Sequence, residues 1–337
     1  MTDEFTLTTP TQEPGYETAM QVVFQWNYEP EVEELRRLYA KATEAQWIAE
    51  RDLDWDRPID LERFASTPLG TAIPIEQTSY WKSLSDETRW ELTRRTAAFR
   101  LSNFLHGEQG ALIVASQLVG AVPWIDAKYY AGTQTMDEAR HVEVFSRYVN
   151  EKLEWQWPIN ENLKELLDVT LKDSRWDFKF LGMQIIIEGL AMAAFGNLYH
   201  ITSEPLLKEL IHYVMRDESR HVAFGVLSLT DYYRDLPASE LKDREDFIIY
   251  ACELSRDRLI GDQIADAMGW NREEVRKTVL ASPPFRDFRR SLFMRIVPNL
   301  KRLGLLSPRV REAFARLDIL EFENADPEEQ DRALGLG

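Results

Sequence analysis

The chain reads as an all-α protein organised around one large helical core. Glycine and proline are sparse and lie mostly between long periodic stretches, alternating Val, Ile and Thr runs of strand type are hard to find, and 44% of the 337 residues are hydrophobic. That length and apolar content imply a substantial buried interior and are unlike a disordered chain.

The first segment, residues 1–26, begins acidic and Thr-rich, lacks the basic start and apolar run of an export signal, and is expected to be mobile. From Pro30 to Arg51, Leu35, Leu38, Tyr39, Ala42 and Trp47 share one apolar face behind acidic first turns, which predicts a helix. Asp52 to Trp81 holds Pro58, Pro68, Gly70 and Pro74 and reads as a connector with a short helical turn. A long helix then opens at Ser85 with Ser-x-x-Thr, a weakened capping signal, and runs to about Leu118 before Pro123 interrupts it. Further helices are expected from there to about Leu153, from about Asp173 to Ile201, and from about Ser203, with Pro205 in its first turn, to Arg234. Two or three more fill Ala238–Met268, Arg272–Leu280 and Pro284–Phe314, and the acidic tail over 321–337 is expected to be loose. The resulting organisation is one helical domain over 27–320 with a bundle core at about 85–234 and additional N- and C-terminal helices.

Charge and cysteine usage exclude several partners. A net charge of −17 argues against nucleic acid or an anionic membrane surface. Cys252 is the single cysteine, which rules out an intramolecular disulfide, an iron–sulfur cluster and a Cys-based zinc site and fits a reducing cytoplasm. Phe180 to Leu198 is nearly long enough to span a bilayer, but Glu188 sits at its centre and no comparable second span exists. A buried helix in a soluble core is the reading adopted.

The chemistry lies in a repeat. Glu108 is followed 30 positions later by Glu138 and three further on by His141; Glu188, Glu218 and His221 repeat that spacing. Glu and His three apart share a helix face and can ligate one metal. Pro123 falls midway between Glu108 and Glu138, and Ser203 midway between Glu188 and Glu218, where antiparallel helix pairs would turn. Each arm is about 22 Å long at 1.5 Å per residue, so all six side chains can meet near mid-height of a four-helix bundle around a dinuclear site. One Glu-x-x-His alone is a chance match. Two copies at equal spacing, with Glu108 and Glu188 inside apolar runs, are not, because an unpaired buried carboxylate is costly and a metal supplies the compensation. Four carboxylates and two imidazoles suit two irons and leave a manganese–iron pair open. Asp137 and Asp217 are expected to accept the other ring N–H of the histidines, within or across the pair, with Arg140 and Arg220 neutralising them. Leu112, Phe145, Gln184, Ala191 and Met192, with Val142 and Val222, lie within a helical turn of the ligands and are the pocket candidates. His106, His200 and His212 fall outside the repeat and read as structural or surface residues.

The doubled Glu…Asp-Glu-x-Arg-His pattern resembles the ferritin-like non-haem di-iron carboxylate oxygenase superfamily over about Ser85 to Arg234. That superfamily includes multicomponent monooxygenase hydroxylases, benzoyl-CoA epoxidase, acyl-carrier-protein desaturases and arylamine N-oxygenases. The resemblance implies a ferritin-like bundle that uses O2 to oxygenate a small organic substrate, by hydroxylation, epoxidation or N-oxygenation. It also implies electrons from a separate reductase or ferredoxin, and leaves room for a homodimer. Neither a dinucleotide fingerprint nor an iron–sulfur cysteine set occurs in this chain, in keeping with an external electron source. Phe145 stands where radical-generating ribonucleotide reductase subunits carry a tyrosine. Val214 stands where arylamine N-oxygenases carry an extra histidine ligand, a departure that points away from that branch. Acyl desaturation, ferroxidase or metal handling, and a helical interaction protein with a vestigial site are the rival readings.

Overall fold

The computed structural model describes Gly15, residues 17–60 and residues 73–336, and among these every regular element is helical. The expected mobility of 1–26 lies largely outside the described residues; 17–26 run without helix, and Val23 N–H donates to Gly120 O at 2.9 Å. Helix α1 spans Glu33–Glu44 and α2 spans Ala49–Asp52. The single helix expected over 30–51 is therefore broken, although no glycine or proline interrupts it. Asp52 reaches back to cap the second piece by accepting the Ile48 N–H at 2.8 Å, and the side chains in the break are recruited elsewhere.

The bundle consists of two antiparallel pairs. Helix α3, Asp86–Ala121, starts on Ser85, whose side chain accepts the Thr88 N–H as the capping signal predicts. It ends before Pro123, and α4, Ile125–Arg147, returns alongside it and closes in a π turn over Tyr148–Lys152. After α5, Glu161–Lys172, comes α6, Trp176–Ile201, paired with α7, Pro205–Arg234. The cap of α7 is Glu204 rather than Ser203: its carboxylate accepts the N–H groups of Leu206 and Leu207 while Pro205 fills the first position. Helix α1 lies across α4 and α7. Helix α5 was not anticipated, though Asn160 caps it and Leu163, Leu166, Leu167 and Leu171 bury one face at helical spacing.

Helix α6 is the apolar segment whose length and composition resemble a membrane span. It is fully buried over its most hydrophobic stretch, between its partners in the bundle. Leu181–Ile187 adopts π geometry just before Glu188, the kind of local unwinding that often accompanies a functional side chain. Helix α7 approaches this segment closely at Gly225, where a β-carbon would stand 2.7 Å from the Gln184 β-carbon. Gly225→Ala is expected to force the helices apart at a cost of about 1–3 kcal/mol, seen as a lower thermal midpoint with unchanged helix content.

Six further helices, Ala238–Asp257, Asp262–Ala267, Arg272–Ala281, Pro283–Ser291, Ile296–Arg302 and Pro308–Arg316, wrap the bundle. The tail is not loose. Residues 320–324 form a 3-10 turn and Pro327–Ala333 a helix capped by Asp326. Asp331 accepts from Ser219 at 3.0 Å and pairs with the buried Arg295 at 2.6 Å, which ties this segment to α7 and to the start of the helix Ile296–Arg302.

Candidate metal centre

Each bundle helix carries its ligand candidates to the same height. Glu108 on α3, Glu138 and His141 on α4, Glu188 on α6, and Glu218 and His221 on α7 are all buried. One ligand atom each from Glu108, Glu138, His141 and Glu218 lies within 4.8 Å of the others, and the same holds for Glu138, Glu188 and His221. The equal spacing read in the sequence thus becomes spatial convergence, because each antiparallel pair turns at the midpoint of its repeat.

Glu138 and Glu218 both straddle the two imidazoles. Glu138 places Oε2 3.3 Å from His141 Nδ1 and Oε1 3.1 Å from His221 Nδ1. Glu218 places Oε1 3.2 Å from His141 Nδ1 and Oε2 3.5 Å from His221 Nδ1. Glu108 joins the His141 side at 3.3 Å. Two positions result: one is flanked by Glu108 and His141, the other by Glu188 and His221, and Glu138 and Glu218 lie between them.

The chemistry of these donors fits a metal pair. Glu138 Oε2, Glu188 Oε2, both oxygens of Glu218 and His221 Nδ1 are buried with no hydrogen-bond partner among the described residues. Buried polar atoms are normally satisfied, so a cluster of orphans converging on two points is compatible with a pair of cations.

The outward nitrogens are held across the pair. His141 Nε2 lies 3.2 Å from Asp217 Oδ2, on the opposite helix, and His221 Nε2 lies 3.3 Å from Asp137 Oδ2. Both aspartates therefore take the expected position, which leaves each Nδ1 facing the cluster. Arg140 Nη2 lies between the two carboxylates, 2.5 Å from Asp137 and 3.0 Å from Asp217, and Arg220 pairs with Asp217. Two contributors were missed in the sequence. Gln46 donates to Asp137 Oδ1 at 2.8 Å and Trp47 Nε1 donates to Asp217 Oδ2 at 2.8 Å, both from the break between α1 and α2. Trp47 has the spacing of an ordinary core residue, and only the break turns it inward. Gln134 was also missed: its Nε2 donates to Glu138 and to Glu188, 2.9 Å each, and its carbonyl accepts from Gln184 at 3.2 Å.

Of the pocket candidates, Ala191 lines the cavity beside Glu188 and Glu218, together with Asn103, Phe104, Gly107, Ala111, Ile187 and Arg258. Gln184 contributes through its bond to Gln134 instead. Leu112, Phe145, Met192, Val142 and Val222 are not among the lining residues. Phe145 packs 5.8 Å from both Phe104 and Phe195 in the aromatic layer behind the wall. Neighbours one turn from a ligand point to either side of the helix, and spacing alone does not say which side is open. His106 bonds Trp157 O at 2.8 Å, and neither His200 nor His212 belongs to the cluster.

Without metal the cluster stores protons. Burial, reinforced by the Glu218 charge, raises Glu108 and Glu188 well above the ordinary carboxyl range. Burial opposes the charged form of His141, but the close carboxylates of Asp217, Glu108, Glu138 and Glu218 outweigh it, and His221 is likewise raised by the charges of Glu138 and Glu218. Despite burial, Glu138 is lowered by His221 and His141, and Asp217 by His141 and the flanking arginines. Raised groups keep protons that the unfolded chain releases, so their contribution is lost as pH rises above the ordinary values, 4.5 for glutamate and 6.5 for histidine. The lowered groups are already mostly ionised there in both states and oppose this trend only slightly, near pH 5. The metal-free protein is therefore expected to lose stability from pH 5 to 8, by about 1.4 kcal/mol per pH unit for each proton the fold retains. The rise in thermal midpoint on metal loading should grow over the same range, since metal displaces those protons.

A family profile described as P-aminobenzoate N-oxygenase AurF matches residues 29–304. No curated protein matches the chain by sequence. Among solved structures, the X-ray crystal structure of Streptococcus sanguinis dimanganese(II)-NrdF superposes with a TM-score of 0.51 at 17% identity, covering 88% of this chain and 99% of that one. It shows the shared ferritin-like helical fold. A variant of R2-like ligand-binding oxidase with an anaerobically reconstituted Mn/Fe cofactor gives 0.48 at 19% identity, over 80% of this chain and 92% of that one.

Proposed function

The chain belongs to the P-aminobenzoate N-oxygenase AurF family, and on that premise we propose that it transfers oxygen from O2 to a small organic substrate with electrons from a separate donor protein. At the coarser level it is an O2-dependent di-metal oxidoreductase. The departure at Val214, which pointed away from the arylamine branch, is overruled by the match over 29–304. Val214 is wholly buried, and the site we propose has six protein ligands.

The observation that carries the reading is the set of orphaned oxygens and the Nδ1 nitrogens facing them. Glu108 and His141 would hold one ion, Glu188 and His221 the other, and Glu138 and Glu218 would bridge. Iron is the metal we assign, with a manganese–iron pair as the alternative. When bound, such a pair supplies the electrons and Lewis acidity that activating O2 requires. The chain's own residues do the rest. Asp217 and Asp137 fix the imidazoles by accepting their Nε2 protons, and Gln134 orients Glu138 and Glu188. Phe104, Ala111 and Ile187 form an apolar wall that keeps bulk water from the reacting groups. Of the oxygenations open to such a site, transfer to an amine nitrogen is the one the family supports. The reducing cytoplasm is the setting we propose, in keeping with the lone buried Cys252.

The test is a panel of aryl amines offered to iron-loaded protein with a chemical reductant under 18O2, read by mass spectrometry. Label in the product supports the reading. A product that loses hydrogen and gains no oxygen would make the protein a desaturase-type oxidase, and iron uptake far beyond two per chain would make it a ferroxidase.

A further inference from the structure

Three spaces follow one another along the crevice between α3 and α6, from the surface to the carboxylate cluster. The outermost, whose rim includes the exposed Gln77 and Pro284, encloses about 320 Å³, the size of a small-molecule site. The middle space and the innermost one, beside Glu188 and Glu218, each have room for about one water molecule. Arg100 and Phe288 are common to the outermost and middle spaces, and Asn103, Phe104 and Arg258 to the middle and innermost. The passage is therefore pinched twice, each time by a phenylalanine.

The two rings are held differently. Phe104 is wedged 4.5 Å from Phe195 and 5.8 Å from Phe145, both wholly buried and 5.8 Å from each other, so turning it would disrupt a close-packed aromatic layer. Phe288 has no such socket. It is partly exposed, stands 6.4 Å from Phe285, and carries the Arg100 guanidinium 4.5 Å from its ring centroid. Its helix, Pro283–Ser291, packs chiefly on the preceding helix, Arg272–Ala281, rather than on the bundle. Polar contacts fix that helix from outside the passage: Arg289 donates to Arg256 O at 3.0 Å, and Arg290 pairs with Asp318 at 3.1 Å and Glu321 at 2.7 Å. The helix can thus stay in place while the Phe288 side chain moves. A cation–π contact is strong enough to bias that ring toward Arg100 and weak enough to break thermally.

We propose that Phe288 is the gate of this passage and Arg100 its latch. With the ring on Arg100, only molecules of about the size of water, O2 among them, reach the metal ligands, and organic molecules are held in the outer space. When the ring swings off Arg100, the middle space joins the outer one and admits a body the size of an aromatic ring. Phe104 stays where it is, so only a slim end of that body passes on toward Glu188 and Glu218. A movable outer ring and a fixed inner one thereby divide the work: the first controls entry, the second controls how much of the molecule comes near the metal ligands. The gate is a property of the passage and does not rest on the oxygenase reading.

A thiol placed behind the gate tests it. Ala194 lines the middle space, and the single native cysteine, Cys252, is wholly buried, so in the metal-free full chain Ala194→Cys supplies a reporter whose background is the wild-type rate. Its labelling by methyl and by benzyl methanethiosulfonate is followed by mass spectrometry, each rate divided by that reagent's rate with free cysteine. The benzyl reagent is expected to react at least about tenfold more slowly than the methyl one, because access limits it. Adding Phe288→Ala should raise the benzyl rate at least about tenfold and leave the methyl rate within about twofold. Arg100→Met, which removes the latch and keeps the ring, should move the benzyl rate in the same direction and serves as the test if Phe288→Ala does not fold. Leu229→Ala, a core truncation that lines none of the three spaces, should change neither rate. Equal rates for the two reagents with Phe288 intact, no reaction of either, a benzyl rate unmoved by both gate variants, a rise in both reagents alike, or the same rise in Leu229→Ala would each overturn the proposal.

Discussion

Glu138→Ala is expected to cost the protein both metal ions rather than one. Its two oxygens face different imidazoles, His141 at 3.3 Å and His221 at 3.1 Å, so a single truncation removes a donor from each position. Removing a group that only supports a ligand typically costs roughly 10–100-fold in metal affinity; losing a shared ligand should exceed that at both sites. Glu108→Ala, by contrast, removes a donor from the His141 position alone and should leave the other more nearly intact. Elemental analysis of the two variants after identical loading separates these outcomes, and circular dichroism confirms that both remain folded.

Asp217→Ala is expected to be the most damaging change at a residue that touches no metal. Asp217 accepts from His141 and Trp47 and is the counter-charge for Arg140 and Arg220, and it is almost wholly buried. Truncating one partner of a buried ion network leaves the others uncompensated, a loss of about 3–5 kcal/mol. It also frees the His141 ring, which adds a loss of metal affinity. Asp137→Ala should be milder, because Arg140 keeps Asp217 when Asp137 is gone. Urea midpoints of the metal-free variants check the order, and Asp217→Asn, which retains an acceptor without the charge, should fall between Asp217→Ala and the wild type.

The residues that were legible in the sequence are those whose position follows from helical spacing. The equal steps from Glu108 to Glu138 and from Glu188 to Glu218, each centred on a turn, suffice to place six side chains together, and the pairing of Asp137 and Asp217 with the opposite histidines follows from DEARH and DESRH lying face to face. What escaped depends on breaks in that regularity. Nothing in the sequence stops the first helix at Glu44; its end exposes Gln46 and Trp47 to the aspartates, and those tertiary hydrogen bonds outweigh continued helix. The π geometry over Leu181–Ile187, which delivers Glu188 and Gln184, has no compositional mark either. Arg258 is the C-terminal cap of the helix Ala238–Asp257, outside the bundle, and has no spacing relation to the ligands, so its arrival at the cavity is visible only in three dimensions. The ordered tail is a different case: Asp326 followed by proline announces a helix start, but the partners that hold it, Ser219 and Arg295, are distant in sequence.

The measurement that bears most directly on the central claim is the number of metal ions per folded chain after anaerobic iron(II) loading and removal of the excess, with the optical spectrum followed as O2 is admitted. The account predicts two ions per wild-type chain and an optical change on oxygenation, both lost in Glu138→Ala. No retained metal in a correctly folded wild-type chain, or uptake that Glu138→Ala leaves untouched, would contradict it.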